Sequence, residues 1–209
     1  YGLVMNAVNE ITAALANSIA ERGRASFVVP GGSSPVSIFS ALVKGEHNAF
    51  VDWAKVSITL VDDRQVPNDH QDSNYKLIRS RLLQGPVAAA NLLPLTVNGF
   101  EVEITHPFDV MLVGMGPDGH FASLFPSMVD EAAMNLNSEP AIIVTKPQGN
   151  PLWPRISMNL PMILQSRLVM LIVNGAVKQR VLAAAKTDRF LPVHHLISQN
   201  VKSIKIVTD

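Results

Sequence analysis

The chain has no cysteine. Disulfides, thiolate nucleophiles and Cys-ligated zinc or iron–sulfur centres are therefore excluded. The lack also suits a reducing compartment, so a cytoplasmic location is expected. Charge of neither sign is in excess: 17 Lys and Arg stand against 17 Asp and Glu. Nothing electrostatic argues for nucleic acid or an anionic membrane as partner. No apolar run approaches the ~20 residues that a membrane-spanning helix needs. The start, Tyr1-Gly2-Leu3-Val4, lacks a basic signal-peptide region and an initiator Met, so the natural N-terminus is expected upstream. Several signatures are missing too. There is no Gly-Lys-Ser/Thr ending of a nucleotide-binding P-loop, no G-x-G-x-x-G and no G-x-S-x-G nucleophile elbow.

What is present is an α/β pattern over 209 residues, enough for one sizeable core. Val4, Ala7, Val8, Ile11, Ala14, Leu15, Ser18 and Ile19 recur at helical spacing and predict a helix over residues 4–22, ending near Gly23. Strands are expected at 26–30, 56–61, 109–113, 141–145, 168–173 and 203–207. Helices are expected at 36–44, 73–84 and 175–186. This alternation predicts a Rossmann-like three-layer sandwich, a mostly parallel sheet with helices on both faces. No repeat or linker divides the chain, so residues 1–209 read as a single domain. Phe27, Phe39 and Met170 are expected in the core. Between Leu93 and Pro107 the chain has neither a clear helix nor a clean hairpin, although a parallel crossover usually needs a dozen or more residues. A segment near Gly99–Glu103 is expected to be missing from the sequence.

Four groups of residues carry the polar chemistry. Gly31-Gly32-Ser33-Ser34-Pro35 joins a strand to a helix, where glycines admit close approach and free helix N–H groups seat a phosphate; the plainer alternative is a turn with a capping serine. Asp62-Asp63-Arg64 follows a strand, with the two carboxylates directed to different sides. Arg64 can grip a phosphate through parallel hydrogen bonds, or the trio is a surface ion-pair cluster. A metal at Asp69, His70 and Asp72 is conceivable but lacks recognised ligand spacing. The segment Gly114-Met-Gly-Pro-Asp-Gly-His-Phe-Ala-Ser-Leu-Phe-Pro126 leaves an apolar strand through a glycine-rich turn. It displays His120, of the one residue type whose unperturbed pKa lies close to neutral pH, beside Asp118, which can orient the ring; a capping or core role is the alternative. Finally, Arg155 precedes Ile156, and Lys178 lies in the first turns of a helix, where its charge opposes the dipole unless an anion binds nearby. His194 and His195 are expected to point apart on a solvated helix face, and His47 and His106 to sit in polar loops.

Taken in order, these segments resemble the 6-phosphogluconolactonase family of the glucosamine-6-phosphate isomerase-like fold. They do so through the Gly31–Pro35 loop, Asp62-Asp63-Arg64-Gln65-Val66-Pro67, the nearly unbroken 114–126 segment, the proline-led Arg155-Ile156 and the late Gly175-x-x-Lys178. Ser34 stands where the family has Thr, Asp63 where it has Glu, and Phe121 where it has Thr. The resemblance implies hydrolysis of 6-phospho-D-glucono-1,5-lactone to 6-phosphogluconate in the oxidative pentose phosphate pathway, with neither metal nor cofactor. His120 would be the general base and Asp118 its orienting partner. Gly32, Ser33, Ser34, Asp62, Arg64, Arg155 and Lys178 would hold the phosphosugar, and N–H groups of the glycine loops would stabilise an oxyanion. A monomer or weak dimer is expected. The family's usual helical crossover before the strand at 109–113 adds to the case for a missing segment. A glucosamine 6-phosphate isomerase is the nearest rival, but it needs an acid where this chain has Phe125. A sugar-phosphate-sensing regulatory domain would need no His120.

Overall fold

The structure is a computed structural model that describes residues 2–45, 50–98 and 107–209. The expected missing segment near Gly99–Glu103, and both His47 and His106, lie outside the described residues. The elements run α1 (Gly2–Arg22), β1 (Ala25–Val29), α2 (Val36–Lys44), β2 (Val56–Leu60), β3 (Asp62–Arg64), α3 (Asn74–Arg81), β4 (Asn91–Leu92), β5 (Phe108–Gly114), β6 (Ile142–Val144), β7 (Arg155–Met158), α4 (Leu160–Leu164), β8 (Ser166–Val173), α5 (Ala176–Ala184), α6 (Pro192–Ser198) and β9 (Ile204–Thr208).

The helical spacing at the start of the chain becomes α1, which buries Ala7, Val8, Ile11 and Leu15 along one face. Gly23, at φ +75°, ends it, and its N–H returns to Ile19 O at 2.8 Å. A left-handed residue at a helix end favours glycine. All five residues of β1 are buried. That requires cover on both faces of the sheet, as in parallel α/β architectures. The main sheet has six strands in the order β4-β2-β1-β5-β8-β9, every pairing parallel. Phe27 and Met170 are fully buried and Phe39 nearly so. Burying a side chain such as Phe27 contributes roughly 1.5–3 kcal/mol.

At the amino end of β5, Asp109 ties three strands and α1 together. Its carboxylate accepts from Ser18 Oγ and Arg22 Nη2, each at 2.6 Å, and from Ser26 N at 2.8 Å. Arg167 of β8 lies 3.4 Å away.

The strand expected at 141–145 belongs elsewhere. It is β6, in a separate antiparallel sheet of order β3-β7-β6. The Asp62–Arg64 segment, read as a strand end, is itself a strand there. Val61 makes the change of sheet: its N–H donates to Val29 O at 3.0 Å in the main sheet, while its carbonyl accepts from Met158 N at 2.9 Å in the small one. Strands of three or four residues carry too little periodicity to assign a partner.

Candidate active site

In the main sheet the chain winds outward in opposite directions from β1 and β5. Loops leaving the carboxyl ends of two such neighbouring strands diverge and open a crevice. That crevice is the cleft lined by Gly31, Gly32, Ser33, Ser34, Asp62, Arg64, His120, Phe125, Arg155 and Lys178, among others. Every residue expected to contact substrate therefore meets at one place. Asp118 stands behind His120 and hydrogen-bonds to it.

The Gly31–Ser34 loop does not cap its helix with serine. Pro35 occupies the cap position of α2 and no side chain caps it. Among the described residues, the N–H groups of Gly32, Ser33 and Ser34 donate to nothing. Gly31 has no room for a side chain, since a Cβ would lie 2.0 Å from Asn74 Oδ1.

The histidine loop is closed by its own backbone. Gly116 N–H donates to His120 O at 2.8 Å, and Gly119 N–H to Gly116 O at 3.1 Å. These two groups are thus spent and cannot serve as oxyanion donors, whereas the Gly32–Ser34 amides remain open. A Cβ on Gly116 would sit 2.1 Å from His120 Cε1, so the imidazole lies directly over bare backbone. His120 Nδ1 is 2.5 Å from Asp118 Oδ1. Burial pushes the Asp118 carboxyl up, but the hydrogen bond and charge of His120, together with backbone N–H groups, outweigh it and hold the acid below its ordinary value. Asp118 then only accepts, so in the neutral imidazole Nδ1 carries the proton and Nε2 keeps the lone pair. The Phe125 ring tilts against the imidazole, with centroids 4.9 Å apart. Ala122, at φ 47°, turns the chain through a left-handed conformation that costs a non-glycine residue free energy.

The small sheet supplies the cations. In the antiparallel β3–β7 pair, Arg64 and Arg155 are direct cross-strand partners. Like charges opposite one another destabilise a ladder. Neither forms an ion pair among the described residues. Arg64 Nη1 donates to Asp72 O at 2.7 Å and to Asn74 Oδ1 at 3.0 Å, while its buried Nε has no partner. Arg155 donates to Gln148 O at 3.2 Å and Pro151 O at 2.7 Å. Burial, then the charge of Arg64, lowers the Arg155 pKa; Asp62, Asp63 and Asp72 oppose this. The two carboxylates do diverge, and both are buried rather than part of a surface cluster. Asp62 Oδ2 accepts from Ser123 Oγ at 2.6 Å. Asp63 turns away to accept from Asn74 N at 2.6 Å and Tyr75 N at 3.0 Å at the start of α3. Burial nevertheless raises its pKa.

Lys178 reaches from α5 to donate to Ser34 Oγ at 3.0 Å, and burial lowers its pKa. The dipole conflict noted in the sequence is partly met by Asp209, whose carboxylate accepts from Gly175 N at 3.0 Å. The cleft wall thus carries Arg64, Arg155 and Lys178 against the single carboxylate of Asp62. That excess of positive charge, beside open backbone amides and an imidazole with a free nitrogen, suits a small anion carrying a group open to water attack.

Sequence reasoning missed Asn74, which holds Arg64 and packs against Gly31, and the Gly149-Asn150 wall of the cleft. The Gly149-Asn150-Pro151 triplet marks a turn but says nothing of where that turn packs. The His194 and His195 rings do not point apart: they meet edge to face at 5.4 Å and are half-buried. Their nitrogens meet separate carbonyls, Ala185 O and Arg189 O. His70 Nδ1 accepts the Asp72 N–H, and the Asp72 carboxylate accepts from Trp153.

The family model for glucosamine-6-phosphate isomerases/6-phosphogluconolactonase matches residues 2–204. A 6-phosphogluconolactonase of Caulobacter vibrioides is 33% identical over 215 aligned positions, covering 96% of this chain and 90% of that protein. One of Rhizobium meliloti is 31% identical, with 95% and 90% covered. The crystal structure of a 6-phosphogluconolactonase from Shewanella baltica superposes with TM-score 0.84 at 28% identity, over 99% of this chain and 93% of that one. A monomeric glucosamine-6-phosphate deaminase shares the fold at TM-score 0.68 and 14% identity.

Proposed function

The chain belongs to the glucosamine-6-phosphate isomerase/6-phosphogluconolactonase family, and from that premise we propose that it hydrolyses 6-phospho-D-glucono-1,5-lactone to 6-phosphogluconate. The observation that carries the reading is the cross-strand pair Arg64 and Arg155, two like charges held by carbonyls and in no ion pair among the described residues. A phosphate between them and near Lys178 relieves the repulsion and fixes the sugar. The substrate class of its relatives is a phosphorylated lactone with one reactive carbonyl.

In this reading the His120 Nε2 lone pair takes a proton from water as its oxygen attacks the lactone carbonyl. Asp118 holds Nδ1–H and stabilises the imidazolium that forms. The amides of Gly32, Ser33 and Ser34 are the available donors to the oxyanion, where one such donor is worth ~10²–10³ in rate. The tetrahedral intermediate then collapses, the ring C–O bond breaks, and the imidazolium returns the proton to the leaving ring oxygen. The lactone is reactive enough that the scheme calls on neither metal nor covalent nucleophile.

Phe125 favours hydrolysis over aldose–ketose isomerisation. It covers one side of His120 with a ring that cannot ionise, where an isomerase needs an acid to help open the sugar. The test is an assay with freshly generated 6-phosphogluconolactone, corrected for spontaneous hydrolysis, run beside glucosamine 6-phosphate. Rapid lactone hydrolysis and no deamination are expected. Deamination at a comparable rate, or no acceleration of lactone hydrolysis, overturns the proposal.

A further inference from the structure

The two arginines of the cleft are positioned by loops. Arg64 leans on the carbonyl of Asp72, in the turn between β3 and α3, and Arg155 on the carbonyls of Gln148 and Pro151, in the turn between β6 and β7. A carbonyl orients a guanidinium without neutralising its charge. The strength of the anion grip then depends on where the two turns sit relative to each other.

A side-chain bond joins those turns. Trp153 Nε1 donates to Asp72 Oδ2 at 2.9 Å. His70 completes the junction: its Nδ1 accepts the Asp72 N–H at 3.1 Å, and its ring meets the indole edge-on with centroids 5.5 Å apart. None of the three lines the cleft, and Trp153 is half-buried. Indole N–H is a donor only, so this bond needs an acceptor fixed on the opposite turn, and Asp72 provides it from the same residue whose carbonyl holds Arg64.

We infer that Trp153 and Asp72 form a latch that fixes the spacing of Arg64 and Arg155 and thereby sets the affinity for the substrate's phosphate. They are positioning residues that act through the arginines, and the inference rests on the phosphosugar reading of the cleft. Loss of the latch weakens the phosphate grip and leaves His120, Asp118 and the Gly32–Ser34 amides in place. Its signature is a rise in KM at constant kcat, confined to phosphorylated ligands. A bond that served only the fold would lower stability without that selectivity.

The test is steady-state kinetics on the full chain with 6-phosphogluconolactone and with unphosphorylated gluconolactone, together with calorimetric binding of 6-phosphogluconate. Trp153→Phe keeps the ring against His70 and removes the donor; Asp72→Ala removes the acceptor. Each is expected to raise KM and Kd for the phosphorylated ligands about fivefold, the worth of one hydrogen bond, with kcat within about twofold and the unphosphorylated lactone unaffected. The double variant is expected to be no worse than either single one, since both break one contact. Asp72→Asn loses the same charge near Arg155 as Asp72→Ala but its amide oxygen still accepts the indole N–H, so its KM and Kd for the phosphorylated ligands are expected to lie about fivefold below those of Asp72→Ala. Wild-type KM and Kd in Trp153→Phe, in a protein that itself processes the phospholactone, overturn the latch alone. If the wild-type chain neither hydrolyses the lactone nor binds 6-phosphogluconate, the reading of the cleft fails and the latch falls with it.

Discussion

The two ends of the parallel sheet treat charge in opposite ways. At the amino end, Asp109 is buried and every charge near it is answered: Arg22 at 2.6 Å, Arg167 at 3.4 Å, and the hydroxyl and backbone donors of Ser18 and Ser26. At the carboxyl end, Arg64, Arg155 and Lys178 share one cleft with no ion pair among the described residues, beside a buried Arg64 Nε without a partner and a left-handed Ala122. The amino end settles its electrostatics within the chain. The carboxyl end leaves its cations without an ion pair among the described residues, and strain and unmatched charge of this kind are what a working site concentrates.

The contrast can be broken by substitution. The largest effect belongs to His120→Asn, expected to lower kcat by ~10²–10⁴ with little loss of stability; stopped assays beside thermal melts check both. Asp109→Ala is the mirror case. It leaves the buried Ser26 N–H and Ser18 hydroxyl without their acceptor, while Arg22 keeps Glu21 and Ser18, and is expected to cost about 2–3 kcal/mol in urea unfolding, with kcat of the folded fraction unchanged. Arg155→Met tests the cleft cations: KM for the phospholactone is expected to rise about 10–100-fold, the range for lost charged hydrogen bonds. Its stability changes less than that of Asp109→Ala, because a repulsion leaves with the guanidinium.

Smaller effects sharpen the comparison. Ala122→Gly relieves the left-handed turn and is expected to stabilise the fold by about 0.5–1 kcal/mol, read from the urea midpoint. Lys178 gives a pH signature. Its folded pKa lies below 10.5 because burial disfavours the ammonium. The folded state therefore holds fewer protons than the unfolded one between the folded pKa and 10.5, and stability rises with pH across that window. Phosphate affinity moves the other way, falling as Lys178 loses its proton. Calorimetry of 6-phosphogluconate against pH is expected to show that fall in the wild type and a flatter profile in Lys178→Met.

Much of the site was legible in the sequence because each cleft loop follows a recognisable strand or carries a distinctive residue set. Gly31–Pro35 and Gly114–Pro126 flank β1 and β5, whose apolar runs are unmistakable, and the parallel fold dictates that their carboxyl ends meet. The pairing of Arg64 with Arg155 was not legible. It depends on β3 and β7, strands of three and four residues, and on the single residue Val61 that hands the chain from one sheet to the other. Nor could the sequence tell which glycine amides stay free. The histidine loop consumes Gly116 and Gly119 N–H in its own closure, a matter of turn geometry rather than composition. Asn74 was hidden for a similar reason: it reads as an ordinary first residue of a helix, yet its amide braces Arg64 and Asp62.

The central claim is that the unmatched charge at the carboxyl end exists to hold a phosphate while His120 activates water. The most direct measurement is the ratio of kcat/KM for 6-phosphogluconolactone to that for unphosphorylated gluconolactone under identical conditions. The account predicts a preference of at least about a thousandfold, the product of several charged hydrogen bonds. Equal efficiency on the two lactones would contradict it.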